Sequence, residues 1–146
     1  MKVRVLIVDD EEKFADYLSK RLLNRDYQVN VALSGEEAIE RIQHENWDVV
    51  ILDVLMPGMD GIETLREIKR LKPLTEVIML TGHASVESGV EGMKLGAYDY
   101  LMKPCDTEEL VSKINQAYDR KADQEERIRQ AKVADILSSP RSVLEE

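Results

Sequence analysis

The chain has little of several things that would fix its class at once. It holds one cysteine, one tryptophan and one phenylalanine among 146 residues. A single Cys105 excludes an internal disulfide framework and a cysteine-based zinc site. With so little cysteine a cytoplasmic location is the expectation. No apolar run approaches the ~20 residues that a membrane helix needs, and the start MKVRVLIVDD lacks a signal peptide's apolar stretch and cleavage site. Basic residues are also short: 20 Lys plus Arg face 29 Asp plus Glu, for a net charge of −9. That sign argues against nonspecific binding to DNA or to an acidic membrane. What is present is an apolar fraction of 43%, enough to exclude a wholly disordered chain. The length suits one domain with a real core.

The acidity belongs to one part of the chain. Residues 1–120 carry 15 basic and 23 acidic side chains, a net of −8, and residues 121–146 carry 5 and 6. Within the first segment, β-branched apolar runs alternate with helix-period stretches. Strands are predicted at Val3–Val8, Gln28–Ala32, Asp48–Asp53, Val77–Thr81 and Tyr98–Met102. Ser34-Gly-Glu-Glu37, Asp60, Ser85 and Asp106-Thr-Glu-Glu109 stand where helix caps are needed, and Gly96 marks a helix end. The first helix is expected to bury Phe14, Tyr17, Leu18 and Leu22, Trp47 to pack at the rim of strand three, and the six methionines to lie in the core.

Five strand–helix units with continuous apolar strands imply an α/β fold with a parallel sheet covered by helices on both faces. Right-handed crossovers and the five units favour the flavodoxin-like strand order 2-1-3-4-5. In such sheets sites form at the carboxyl ends of the strands. There the sequence places Asp9 and Asp10 after strand one, Asp53 after strand three, Thr81 at the end of strand four, and Lys103-Pro104 after strand five. Any one Asp there reads more readily as a cap or a solvated loop residue. Three carboxylates converging on one rim are different, because like charges at close range demand a cation or a proton. An all-oxygen set suits Mg²⁺, and a neighbouring hydroxyl and ammonium suit a phosphoryl group.

This constellation resembles the receiver domain of two-component response regulators. The matching segments are VLIVDDE (5–11), VVILDVLMPGMDG (49–61), VIMLTGH (77–83) and GAYDYLMKP (96–104), and the resemblance covers residues 3 to about 120. The last two segments look closest to receivers of modular transcriptional activators. The resemblance implies that Asp53 accepts a phosphoryl group from a phosphohistidine of a sensor histidine kinase or a histidine phosphotransfer protein. It implies direct Mg²⁺ ligation by Asp10, ligation by Asp9 mostly through water, and completion of the set by Asp53 and the backbone carbonyl of Leu55, with Mn²⁺ a substitute. Lys103 would pair with the phosphoryl oxygens and Thr81 would hydrogen-bond one of them. Tyr100 matches an aromatic switch position, and Lys103-Pro104 matches a cis peptide bond.

Leu55 and His83 occupy positions that flank the path of hydrolytic water in receivers. An apolar Leu55 cannot orient that water, so a long-lived phosphoryl group is expected. His83 reads as a loop histidine without catalytic duty, His44 as a solvated helix residue, and Cys105 as small packing. Residues 121–146 have helix-forming composition up to about Leu137, stopped by Ser138-Ser-Pro140. They read as a helical extension, or as a linker toward an output domain outside this sequence. With no basic helix–turn–helix segment, output would be a change in the surface of helix four, strand five and helix five, involving Val90, Met93, Lys94, Tyr98 and Asp99. A homodimer on phosphorylation would use that face or the tail helix.

Three rivals fit less well. A haloacid dehalogenase-type hydrolase needs an acid two residues after its Asp nucleophile, where Asp53 has Leu55. A flavodoxin needs Ser, Thr and Gly in its first loop, where this chain has Asp9-Asp10-Glu11-Glu12. A degenerate receiver should lack one of Asp53, Thr81 or Lys103, and all three are present.

Overall fold

The computed structural model describes residues 2–82 and 85–138. Five strands form one parallel sheet: β1 (Arg4–Val8), β2 (Gln28–Ala32), β3 (Val49–Leu52), β4 (Glu76–Thr81) and β5 (Asp99–Met102), in the spatial order β2-β1-β3-β4-β5. Helices α1 (Glu12–Leu23), α2 (Gly35–His44), α3 (Gly61–Leu71), α4 (Val86–Lys94) and α5 (Thr107–Ser138) connect and extend them. Strand order and helix count are those expected from the alternation of patterns. Each strand begins or ends within a residue of its expected limits.

The alternation of side chains along each strand divides the core in two. Leu6 and Val8 of β1, Val50 and Leu52 of β3, and Val77 and Met79 of β4 face one way, onto Ala38 and Ile42 of α2 and Leu65 and Ile68 of α3. Val5, Ile7, Val49, Ile51, Ile78 and Leu80 face the other way, onto Ala15, Leu18 and Leu22 of α1 and Leu110, Ile114 and Ala117 of α5. The period of two in a strand buried on both sides explains why β1, β3 and β4 read as unbroken apolar runs.

Local chemistry sets the helix starts. Ser34 Oγ accepts from the Glu37 amide at 3.1 Å, and Asp60 Oδ1 accepts from the Glu63 amide at 2.9 Å. The Glu37 carboxylate closes back on the amide of Leu33, one residue before the cap, rather than on Ser34 itself. Gly96 takes a positive φ of 103° just after α4, a conformation that an L side chain would resist.

Several expectations need correction. Trp47 is not at a rim but buried in the core with α2 and α3, with the Arg4 guanidinium 4.6 Å from its ring centroid. Tyr17 is exposed, and the small Ala15 takes the buried place on α1. Met56 and Met79 are core residues, but Met93 and Met102 are exposed. Cys105 is half-buried, and burial pushes its thiol pKa up, which favours packing over thiolate chemistry.

The sequence patterns did not reveal Glu76, a buried carboxylate at the start of β4. Two nitrogens of the Arg120 guanidinium reach it, one of them at 2.7 Å from Oε1. Lys69 Nζ lies 3.4 Å from the same oxygen and 2.7 Å from the Thr75 carbonyl. Next along α5, Lys121 Nζ lies 3.2 Å from both Asp48 and Glu125. Through residues 120 and 121, α5 is thus tied to the amino-terminal ends of β3 and β4. Beyond this point the helix continues without a break to Ser138, and its side chains from Gln130 onward are exposed. The expected stop after Ser138 falls on residues 139–146, which lie outside the described residues.

Candidate functional site

The register of the sheet puts the acidic residues together. Val8 of β1 pairs with Leu52 of β3, so the next residues, Asp9 and Asp53, emerge side by side at the carboxyl edge. The Asp53 amide donates to the Val8 carbonyl at 2.9 Å, and the Asp9 amide to the Ala32 carbonyl at 3.1 Å. Both carboxylates are buried, each residue being 2% exposed, whereas Asp10 is exposed. One carboxylate oxygen from each of Asp9, Asp10 and Asp53 falls within 4.8 Å of the others. Oxygen donors alone, carried by three acids, are the ligand set of a hard divalent cation. The residues present therefore fit Mg²⁺.

Lys103 enters from the other side of the rim. Thr81 pairs with Met102, and the Lys103 amide donates to the Thr81 carbonyl at 2.9 Å, which carries the residue past the end of β5. Its Nζ lies 2.7 Å from Asp9 Oδ2, 3.2 Å from Glu11 Oε1 and 3.9 Å from Asp53 Oδ2. The Phe14 ring lies beneath it, with its centroid 4.1 Å from the ammonium. Burial alone would lower the Lys103 pKa, but the hydrogen bond to Asp9 and the charges of Asp53 and Asp9 outweigh it, and the pKa is raised. Burial pushes the Asp9 carboxyl up, and its bonds to Lys103 and to the Glu11 amide only partly oppose this. The pocket thus holds a fixed cation beside Asp9, whose burial makes its charge costly to keep.

Thr81 is fully buried at the end of β4. Leu55 is 53% exposed in the loop after β3. The Lys103–Pro104 peptide bond is cis. Tyr100 on β5 packs against the core face shared with α3, and its hydroxyl lies 2.8 Å from Ser88 Oγ. His83 lies outside the described residues.

Some contributors escaped the sequence reading. Phe14 reads as an apolar helix position, and only the fold shows it as the floor under Lys103. Glu36 on α2 accepts from the Met59 amide at 2.7 Å, and that bond holds its carboxyl below the usual range. It pins the loop after Asp53 beside Gly58, which has a positive φ of 74°. Gly61 begins α3 so close to this loop that a Cβ would lie 2.2 Å from the Asp53 carbonyl oxygen and 2.6 Å from Val54 Cα. Both atoms are backbone and cannot step aside. Gly61→Ala is expected to lower unfolding free energy by about 1–3 kcal/mol, the usual penalty of overpacking. Urea unfolding checks this, and a change below about 0.5 kcal/mol, the size of an ordinary surface substitution, would contradict it.

Comparison with known proteins agrees with this geometry. The family model of the response regulator receiver domain matches residues 5–115. The transcriptional regulatory protein ZraR of Escherichia coli K12 is 41% identical over 115 residues, which cover 79% of this chain and 26% of ZraR. The transcriptional regulatory protein YkoG of Bacillus subtilis is 38% identical over 116 residues, covering 80% of this chain and 51% of YkoG. The chain thus spans about a quarter of the first relative and half of the second. Among solved structures, a CheY-like receiver domain protein from Methanospirillum hungatei matches with a TM-score of 0.82 and 32% identity, over 85% of this chain and 99% of that one. With the family model covering most of its length, and its five parallel strands carrying the acidic rim in the matched region, the chain belongs to the response regulator receiver domain family.

Proposed function

We propose that this chain is a phosphorylation-dependent switch in which Asp53 accepts a phosphoryl group from the phosphohistidine of a histidine kinase or a phosphotransfer protein. The observation that carries this reading is the placement of Lys103 Nζ at 2.7 Å from Asp9 and 3.9 Å from Asp53. Lys103 is committed to Asp9 yet near enough to Asp53 to meet oxygens delivered there. In the transfer, an Asp53 carboxylate oxygen attacks phosphorus as the P–N bond to the donor histidine breaks. The imidazole keeps that electron pair. Such transfer needs alignment and charge neutralisation more than it needs a general base.

Asp10, Asp53 and the Leu55 carbonyl would hold Mg²⁺ directly, with Asp9 acting through water; Mn²⁺ could replace it. When bound, the metal supplies positive charge to the phosphoryl oxygens. Thr81 would hydrogen-bond one of those oxygens, and Tyr100 would follow it, altering the face of α4, β5 and α5. The chain would carry out only its own phosphorylation and dephosphorylation, acting in signalling rather than as a metabolic enzyme. Residues 1–120 form the receiver in this reading, and 121–146 lead toward an output domain, consistent with relatives that are longer transcriptional regulators. A second copy of the chain could join at the α4–β5–α5 face or along the tail helix once Asp53 is phosphorylated. No helix among the described residues is long and apolar enough to cross a membrane, which accords with a cytoplasmic place.

Two expected outcomes test this reading. With a small-molecule phosphodonor at saturation, complete chelation of Mg²⁺ should abolish labelling, because three acids without the metal repel phosphate. Undiminished labelling would overturn the metal requirement. The second concerns Leu55, whose apolar and exposed side chain cannot orient a hydrolytic water. The phosphorylated protein should persist for minutes or longer at neutral pH by intact mass. A half-life of seconds would count against it.

A further inference from the structure

We propose that Ser88 is a positioning residue of the switch: through the Tyr100 hydroxyl it makes the amino-terminal cap of α4 depend on the conformation of the aromatic ring on β5. This inference rests on the reading of Tyr100 as a group that moves on phosphorylation.

The start of α4 is built from three hydroxyls. Ser85 is the cap residue, and its Oγ accepts from the Ser88 amide at 3.1 Å. In return the Ser85 amide donates toward Ser88 Oγ and toward Tyr100 Oη, both at 3.3 Å. Ser88 Oγ donates to the Ser85 carbonyl at 3.2 Å, which leaves its lone pairs to accept from the Tyr100 hydroxyl at 2.8 Å. The spacing Ser85-x-x-Ser88 is that of a capping box. Serine in place of the usual Glu or Gln gives its third position a side chain short enough to meet a ring from the neighbouring strand. The same ring lies along the helix at Gly89, where an added Cβ would come within 3.7 Å of it. Tyr100 thus touches α4 at its cap and on its first turn, and a rotation of χ1 would remove both contacts together.

The helix receiving these contacts has little else to hold it. It spans nine residues, two of them glycine, and only Gly92 is buried. Val86 is 84% exposed, and Val90 and Met93 are also exposed. Glycine is the poorest helix former after proline, and helices this short owe their stability to packing and caps. Where apolar burial is so slight, one hydroxyl contact is a large share of local stability. The cap is therefore where a ring rotation on β5 would be read out as fraying or tightening of α4.

The test is hydrogen exchange of the α4 amides, followed by mass spectrometry in the full chain, with Asp53 occupancy measured separately by intact mass. In the unphosphorylated protein, Tyr100→Phe should speed α4 exchange about five-fold, the loss of about one net hydrogen bond. Ser88→Ala should speed it at least as much, since its hydroxyl also meets the Ser85 amide and carbonyl. The double variant should be no faster than the faster single one, and Ser88→Thr, which keeps the hydroxyl, should stay close to wild type. Exchange in β1 and β3 should not change in any variant, which separates a local effect from poor folding. Phosphorylation of wild type should shift α4 exchange, and Ser88→Ala should remove most of that shift at equal Asp53 occupancy. Wild-type exchange in both single variants, or effects that multiply in the double variant, would overturn the proposal. So would an α4 shift of undiminished size in phosphorylated Ser88→Ala. Absence of labelling in wild type would instead overturn the phosphoacceptor reading, leaving the resting-state comparison to judge the cap on its own.

Discussion

Lys103→Met is expected to lose about 3 kcal/mol of stability in metal-free buffer at neutral pH, the low end of the cost of breaking a buried ion pair. Lys103 is the only cationic side chain within 4 Å of Asp9 or Asp53 among the described residues. Methionine keeps an unbranched apolar stem against Phe14, so the loss is one of charge rather than of packing. Two carboxylates, each 2% exposed, would then face one another with no counterion. The loss stays at the low end because Asp9 can take up a proton.

That proton gives the effect a sign with pH. In wild type the folded Asp9 pKa already lies above its free value of 3.8. The folded state therefore holds the Asp9 proton more tightly, and this contribution to stability is full below 3.8 and is lost as pH rises through the folded value. Without Lys103 the folded value climbs further and the loss extends to higher pH. The deficit of the variant should consequently shrink as the pH falls through the folded value, because protonation of Asp9 removes the charge that Lys103 neutralises. Added Mg²⁺ should also restore much of it by replacing the missing cation. Urea unfolding with and without chelator, at several pH values, checks all three. A deficit independent of both pH and Mg²⁺ would mean that Lys103 acts through packing alone.

The parts of this molecule legible in its sequence are those set by local rules. Alternating patterns gave five strands and five helices because β1, β3 and β4 are buried on both faces. Ser34, Asp60 and Ser85 announced helix starts because capping is a matter of three or four residues. The acidic rim was legible for a topological reason: once strands one and three are neighbours, whatever follows them must converge. What escaped depends on partners distant in the chain. Nothing near Glu76 marks it as buried, since Arg120 lies 44 residues away. Phe14 becomes the floor of the site only when Lys103 arrives over it. Trp47 precedes a strand, which suggests a rim, but its ring is buried in the core cluster that includes residues of α2 and α3. Met93 and Met102 are apolar by type yet exposed, on the same edge of the sheet as the proposed switch surface.

Asp53→Ala should abolish phosphorylation altogether, and the geometry says why its neighbours cannot replace it. Asp9 is as buried, but both its oxygens are engaged, one by Lys103 at 2.7 Å and the other by the Glu11 amide at 2.9 Å. Asp10 is exposed, whereas the ammonium that would meet the incoming oxygens pairs with Asp9, Glu11 and Asp53. Asp53 has one oxygen held by the Val54 amide at 2.8 Å, while the other lies 3.9 Å from Lys103, too far for a hydrogen bond. That second oxygen is the one suited to attack phosphorus. The substitution should not unfold the protein, since it removes one of two buried acids that repel each other.

The most direct measurement incubates wild type and Asp53→Ala with Mg²⁺ and a small-molecule phosphodonor and compares their intact masses. The wild type should gain the mass of one phosphoryl group and the variant none. An unlabelled wild type, under conditions in which another receiver domain is labelled, would contradict the account, as would equal labelling of the two proteins.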